Sequence, residues 1–391
     1  MSTLSQTTQS NERAYWGAIF AMTLCVFVLI ASEFMPVSLL TPIARDLGVT
    51  EGLAGQGIAI SGALAVLTSL SLTHIAGNMN RKTLLLGMTA LMAASGLLIA
   101  FASSYLVYMI GRALIGIAIG GFWSMSAATA IRLVPQHQVS RALAIFNGGN
   151  ALATVVAAPL GSYLGATIGW RGAFLCLVPV AIIAFIWQCF SLPKMENDRA
   201  AQGTVLRLFR QPVVRVGLLA CGLFFMGQFA LFTYVRPFLE TVTHVSASGL
   251  SLILLTIGIA GFVGTLIIAG FLNARFYPTL MAIPLLMATI AGMLILTGHS
   301  AWIVALLLGL WGLLATAAPT GWWTWLARTL PEDAEAGGGL MVAVIQLSIA
   351  LGSTAGGMVF DNLGWQSTFG VSAILLLSAG ALTFLTASKN Q

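Results

Sequence analysis

Residues Trp16 to Leu40 read WGAIFAMTLCVFVLIASEFMPVSLL, with Glu33 the one charge in the run. A bilayer core is crossed by about 20 apolar residues in a helix, so this stretch is long enough to span it. It is too long for the apolar region of a signal peptide and lacks a small-residue cleavage site, so it is expected to be a retained first transmembrane helix. The whole chain is built the same way. Of its 391 residues, 58% are hydrophobic and 7% are charged, against about 25% charged in an average soluble domain. A surface that poor in charge could not stay in water. The expected class is an all-α membrane protein.

Charges, prolines and turn residues divide the chain into apolar segments at 16–40, 51–73, 83–103, 105–131, 141–163, 172–192, 214–236, 248–272, 279–297, 301–327, 338–360 and 366–388. These predict twelve transmembrane helices as two six-helix bundles, 1–192 and 214–391, joined by a polar cytoplasmic linker over 193–213. With the N-terminus inside, thirteen of the 17 Lys and Arg residues fall on the cytoplasmic side, three outside, and Arg112 lies within a helix. That asymmetry predicts cytoplasmic termini. It also accounts for the net charge of +6 without nucleic acid, because the basic residues sit singly or in short loop clusters. Cys25, Cys176, Cys189 and Cys221 lie in apolar runs without metal-ligand spacing and are expected to act as small hydrophobes.

The chain echoes itself. Arg132-Leu-Val-Pro135 recurs as Arg328-Thr-Leu-Pro331, and Gly169-Trp170-Arg-Gly-Ala-Phe174 recurs as Gly364-Trp365-Gln-Ser-Thr-Phe369, at offsets of 196 and 195. Echoes at equivalent points of two six-helix halves suggest duplication. Parallel repeats of this kind place a substrate site between the halves, near the midplane.

Further motifs are Glu33-Phe-Met-Pro36-Val and Asp46-Leu-Gly48, then Gly111-Arg112, Gly116 and Gly120-Gly121-Phe-Trp123-Ser-Met-Ser126. Through them the whole chain resembles the major facilitator superfamily, and more narrowly its bacterial drug and sugar efflux branch. Within that branch the runs EFMPVSLLTPIARDLG (33–48), GGFWSMSA (120–127), FTYVRP (232–237) and AVIQL (343–347) are similar to members that export purine ribonucleosides. Two stretches depart from the family pattern. The loop over 73–82 keeps its basic pair, Arg81-Lys82, without the usual Gly and Asp, and Ala158-Pro159-Leu-Gly161-Ser-Tyr-Leu-Gly165 is a looser antiporter motif.

Charges inside a membrane cost about 2.5–3.5 kcal/mol each on insertion scales, so Glu33 and Arg112 need a reason. Each stands seven residues from the expected outer end of its helix, about 10 Å deep at 1.5 Å per residue. At matched depth they can pair or share a water cavity, as proton-coupling residues or as a structural ion pair. Desolvation favours the neutral form of a carboxyl and a nearby guanidinium favours the anion, so separating such a pair moves a proton. Arg112, Gly116, Gly120 and Trp123 fall on one stripe of their helix, which reads either as a cavity wall with a stacking platform or as glycine-mediated packing. Ser126, Asn147, Asn150, Gln228, Tyr234, Trp322 and Gln346 complete the candidate substrate-binding set, with Thr233, Thr320, Trp323 and Thr324 beside them. Amides can bind purine edges or sugar hydroxyls, although hydrogen bonding between helices explains each alone. Arg236, next to Pro237, is expected to be an interfacial anchor or outer-gate residue.

No phosphate-binding loop, HExxH or GxSxG is present, so enzyme chemistry and ATP-driven transport by this chain are not expected. The resemblance implies a proton-driven antiporter that exports small polar solutes, purine nucleosides among them, across a bacterial inner membrane. Sugar or multidrug efflux, proton-coupled uptake and a non-transporting membrane receptor are the alternatives. The expected partners are a small-molecule substrate (nucleoside, sugar or drug), protons and the lipid bilayer. No cofactor, metal or nucleic acid is expected, and the expected state is a monomer.

Overall fold

The computed structural model describes residues 14–76, 79–135, 138–195, 211–330 and 334–389. The first bundle holds α1 (Trp16–Leu47), α2 (Glu51–Ala76), α3 (Arg81–Ala100), α4 (Tyr105–Arg132) and α5 (Val139–Ser191). The second holds α6 (Pro212–Phe232), α7 (Val235–Thr241), α8 (Ala247–Ala274), α9 (Phe276–Thr297), α10 (Ala301–Thr329) and α11 (Ala334–Lys389). Two buried hydrophobic clusters, one almost wholly from each bundle, form the cores.

α5 and α11 have 53 and 56 residues; straight, each would run about 80 Å, far beyond a hydrocarbon core of about 30 Å. Each instead folds back at one glycine, Gly169 (φ 79°) and Gly364 (φ 81°), where only a residue without Cβ turns without strain. Contacts along α1 show the reversal. Before Gly169, α5 runs parallel to α1, with Gly149 beside Thr23 and Gly161 beside Met35. After it the chain returns, with Trp170 bonded to Asp46 and Gln188 to Cys25. α11 does the same along α6: Gly352 lies beside Met226, then Trp365 packs on Phe238 and Ser372 bonds the Gly227 carbonyl. Counting α6 and α7 as one crossing, the described residues cross twelve times, six per bundle.

The turns explain one sequence echo. The Trp after each glycine meets the Phe four residues on edge-to-face, at 6.5 Å for Trp170–Phe174 and 5.5 Å for Trp365–Phe369. Duplication reaches deeper than the echoes. A Cβ on Gly116 would strike the Ser61 backbone of α2, and one on Gly312 would strike the Ile257 backbone of α8. Both 312 − 116 and 257 − 61 give 196, so the same close helix crossing is built twice.

α1 corrects one sequence boundary. It runs past Leu40 and through Pro42 to Leu47, ending where Gly48 turns left-handed (φ 65°) and donates to the Ala44 carbonyl. Glu33 therefore sits near the middle of its helix, deeper than its expected place seven residues from the outer end. Gly169, Gly364 and the α1–α2 turn share one end of the molecule, the hairpin end; Trp16, Arg81 and Pro212 mark the opposite, linker end.

Candidate functional site

Two prolines shape the interior of α1. Pro36 has no N–H, so the carbonyl of Ser32, four residues back, loses its helical partner. In hydrocarbon an unmet carbonyl costs several kcal/mol. Arg112 supplies the missing donor: its Nη1 donates to Ser32 O at 2.7 Å. The rest of the guanidinium is held by α2, with Nε donating to Gly57 O at 3.0 Å and Nη2 to Ser61 Oγ at 3.0 Å. The side chain is 0% exposed. Gly116 and Gly120 bring α4 close enough for this, because their Cα atoms press on the backbones of Ser61 and Ala65.

Of the two arrangements offered for Glu33 and Arg112, the direct ion pair is not formed. Each of the three guanidinium nitrogens donates to a carbonyl or hydroxyl, and the group reaches the backbone one residue before Glu33. Each charge still acts on the other through space. The glycine stripe is likewise packing against α2 rather than an open trough, which resolves the two readings of α4 for those glycines.

Glu33, 5% exposed, bonds instead across the molecule. Gln346 Nε2, on α11 of the second bundle, donates to Glu33 Oε1 at 3.2 Å. Beside this bond the Phe34 and Phe229 rings stack across the same seam, 5.9 Å apart. Gln346 is 7% exposed, and its Oε1 is buried without a partner. Ser126 Oγ and Gln228 Oε1 are also buried and unpartnered. Buried polar atoms are almost always satisfied. Trp311 Nε1 and Trp325 Nε1 within the second core are unpartnered too, so an orphan points to a guest only where it faces the seam, as at Gln346.

Toward the hairpin end the bundles are fastened by further contacts. Pro42 frees the Ser38 carbonyl as Pro36 frees that of Ser32, and Arg236 Nη1 from α7 donates to it. Arg236 is only 7% exposed and is fixed by Glu240, Nε to Oε1 at 2.9 Å. Asp361, at the end of the first arm of α11, caps α2 of the other bundle. Its Oδ2 accepts from Thr50 Oγ1 at 2.6 Å and its Oδ1 from Gly52 N at 3.0 Å. Thr354 donates to Gln56 Oε1 at 3.1 Å beside them. Tyr234 fills the same seam, its ring between Gly55 and Gly357 and its hydroxyl donating to Ser353 O at 2.8 Å. In this state that hydroxyl is engaged within the second bundle.

The remaining candidates scatter. Trp123 is half-buried and edge-on to Phe146 at 6.1 Å, Asn147 is exposed, and Asn150 is half-buried. Trp322 lies within the second core against Trp325, whereas Trp323 beside it is exposed. In the 73–82 loop Gly77 and Asn78 lie outside the described residues. Past them, Asn80 Oδ1 accepts from Lys82 N at 2.9 Å, capping α3, and from Met195 N at 3.2 Å. Sequence reasoning missed Ser32, Ser61, Phe34, Phe229 and Asp361. A proline four residues past a carbonyl was a legible signal for Ser32 and Ser38; the others are set by which helices meet.

The family model described as Major Facilitator Superfamily matches residues 22–338. A Pseudomonas aeruginosa protein named Transcription regulatory protein OpdE is 65% identical over 96% of this chain and 95% of its own length. The Purine ribonucleoside efflux pump NepI of Salmonella enteritidis is 40% identical over 93% of this chain and 92% of its own. Among solved structures, a bacterial homologue of the human lysosomal transporter Spinster, in an inward-facing and occupied conformation, superposes with a TM-score of 0.76. It shares 14% identity and covers 95% of this chain and 96% of its own.

Proposed function

The chain belongs to the major facilitator superfamily, and on that premise we propose that it is a proton-driven antiporter exporting small polar solutes, purine nucleosides foremost, across the bacterial inner membrane. One observation carries the reading: a carboxyl near mid-helix lies in the seam between two bundles and is bonded across it, Glu33 to Gln346. An intramembrane carboxyl placed where two bundles must part is a natural proton carrier. The coupling charges belong to one bundle only. With the offset of 196, Glu33 corresponds to Phe229 and Arg112 to Leu308, both apolar. The first bundle, 1–192, then carries the proton, and the second, 214–391, moves against it by alternating access about the 193–213 linker. With both termini cytoplasmic, the hairpin end is periplasmic and the seam there closes the carrier to the outside. The 40% identity to a protein named as a purine ribonucleoside efflux pump supports nucleosides over sugars or lipophilic drugs. The carrier acts as a monomer in the lipid bilayer.

The test uses the full chain in proteoliposomes. A pH gradient should drive inosine uphill in preference to arabinose and a lipophilic cation. Glu33→Gln, which cannot ionise but whose amide oxygen can still accept from Gln346 Nε2, should keep inosine counterflow and lose gradient-driven accumulation. If Glu33→Gln still builds an inosine gradient from a proton gradient, another group carries the proton.

The name of the 65% identical relative supports a second, compatible reading. A carrier reaches transcription by changing the cytoplasmic level of an effector solute. Glu33→Gln would then lose the transcriptional effect together with transport, whereas a direct regulator would keep it.

A further inference from the structure

We propose that Gln346 is the residue through which substrate and proton exclude one another. The inference rests on the antiport reading above and names the side chain that enforces it. Gln346 has two ends in one buried place. Its Nε2 donates to Glu33 Oε1 at 3.2 Å, while its Oε1 has no partner. An amide held this way favours the Glu33 carboxylate, because an N–H bonds more strongly to the anion than to the carbonyl oxygen of the neutral acid. The unpartnered oxygen is then free for a donor that the protein does not supply. A nucleoside carries such donors in its ring N–H, exocyclic amine and ribose hydroxyls.

The same amide turned by about 180° suits the other state, since terminal amide torsions are roughly two-fold. Gln346 Oε1 then accepts from the protonated Glu33, and the turn has carried that oxygen away from the side on which it would have held substrate. One acceptor thus serves either the proton on Glu33 or the donor on the substrate. When substrate binds Oε1, the amide presents Nε2 to Glu33, which gives its proton to water on the side to which the site is open. When substrate leaves, Glu33 takes a proton from that side and recaptures Oε1. This exclusion has the sign that antiport needs; a symporter would need substrate and proton to bind together.

The surroundings leave the role to this amide. Arg112 is the charge acting on Glu33, and it is fixed by Ser32 O, Gly57 O and Ser61 Oγ whichever way the amide turns. Tyr108, on α4 with Arg112, is buried beside Gly57 of α2, the residue whose carbonyl Arg112 holds. α5 presents Gly149, Gly161 and Gly165 to α1, and α6 presents Phe229 to Phe34.

The experiment measures protons released when inosine binds to the purified full-length protein in weakly buffered detergent, together with the pH dependence of the inosine Kd. Wild type should release protons on binding, and its Kd should rise about tenfold per pH unit below the titration of Glu33. Gln346→Leu should bind inosine about three- to tenfold more weakly, the loss of one hydrogen bond, with little proton release and a nearly flat pH profile. Gln346→Asn, one methylene shorter, retains an amide and tests the same point if the leucine variant does not fold. It should bind inosine but uncouple it from proton release. Wild-type proton release and pH slope in either folded variant would overturn the role of Gln346 while leaving the antiport reading intact. Absence of proton release in wild type would overturn the antiport reading itself.

Discussion

Removing the Asp361 carboxylate should loosen the hairpin end. In the structure this carboxylate joins the bundles by accepting from Thr50 Oγ1 at 2.6 Å and Gly52 N at 3.0 Å, at the start of α2. A helix cap contributes about 0.5–2 kcal/mol, and a negative charge at a helix N-terminus about 0.3–1 kcal/mol. Asp361 is exposed, so solvent screening keeps the sum toward the lower part, about 1–2 kcal/mol. These contacts break when the bundles part at this end, so their loss acts on the conformational equilibrium rather than on folding of either bundle. The ratio of hairpin-open to hairpin-closed carrier should rise about 5- to 30-fold in Asp361→Ala. Asp361→Asn keeps one acceptor and should shift it less, about two- to fivefold. Spin labels at Ser103 and Ser248, both exposed at the hairpin end of different bundles, report the change as a longer distance population by pulsed electron resonance. Replacing the four native cysteines first keeps the labels unique. Identical distance distributions in wild type and Asp361→Ala, with both proteins folded, would show that the cap does not hold the gate.

Arg112→Met should orphan the Ser32 carbonyl, costing about 1–3 kcal/mol for that buried group and lowering the thermal midpoint, while Gly57 O keeps its helical partner, the Ser61 N–H. Adding Pro36→Ala returns an N–H to Ser32 and should recover about 1 kcal/mol; strictly additive effects in the double-mutant cycle would refute the link. Trp123→Ala should weaken nucleoside binding about tenfold to a hundredfold if the indole stacks on the base, and unchanged affinity in a folded variant would remove it from the site. A C-terminal reporter should be active only in the cytoplasm, as the basic-residue asymmetry requires, and periplasmic activity would reverse the topology.

Membrane residence, the number of crossings and the duplication were legible in the sequence because each follows from a local rule. A span needs about 20 apolar residues whatever its neighbours are. A chain reversal between tightly packed helices favours a glycine, and both Gly169 and Gly364 stand at such points with a Trp behind them. Glu33 and Arg112 stood out because charge is rare in hydrocarbon, and even the freed Ser32 carbonyl could have been read from Pro36. Their partners could not. Depth can be counted along one helix, but the face it turns to each neighbour is set by how all twelve crossings pack. That packing alone gave Arg112 to Ser32, Gly57 and Ser61 instead of Glu33, and gave Glu33 to Gln346, 313 residues away. It also buried Trp322 and brought Asp361 onto the first turn of α2. A hydrogen bond needs atoms within about 3 Å, and between distant segments only the tertiary structure sets that distance.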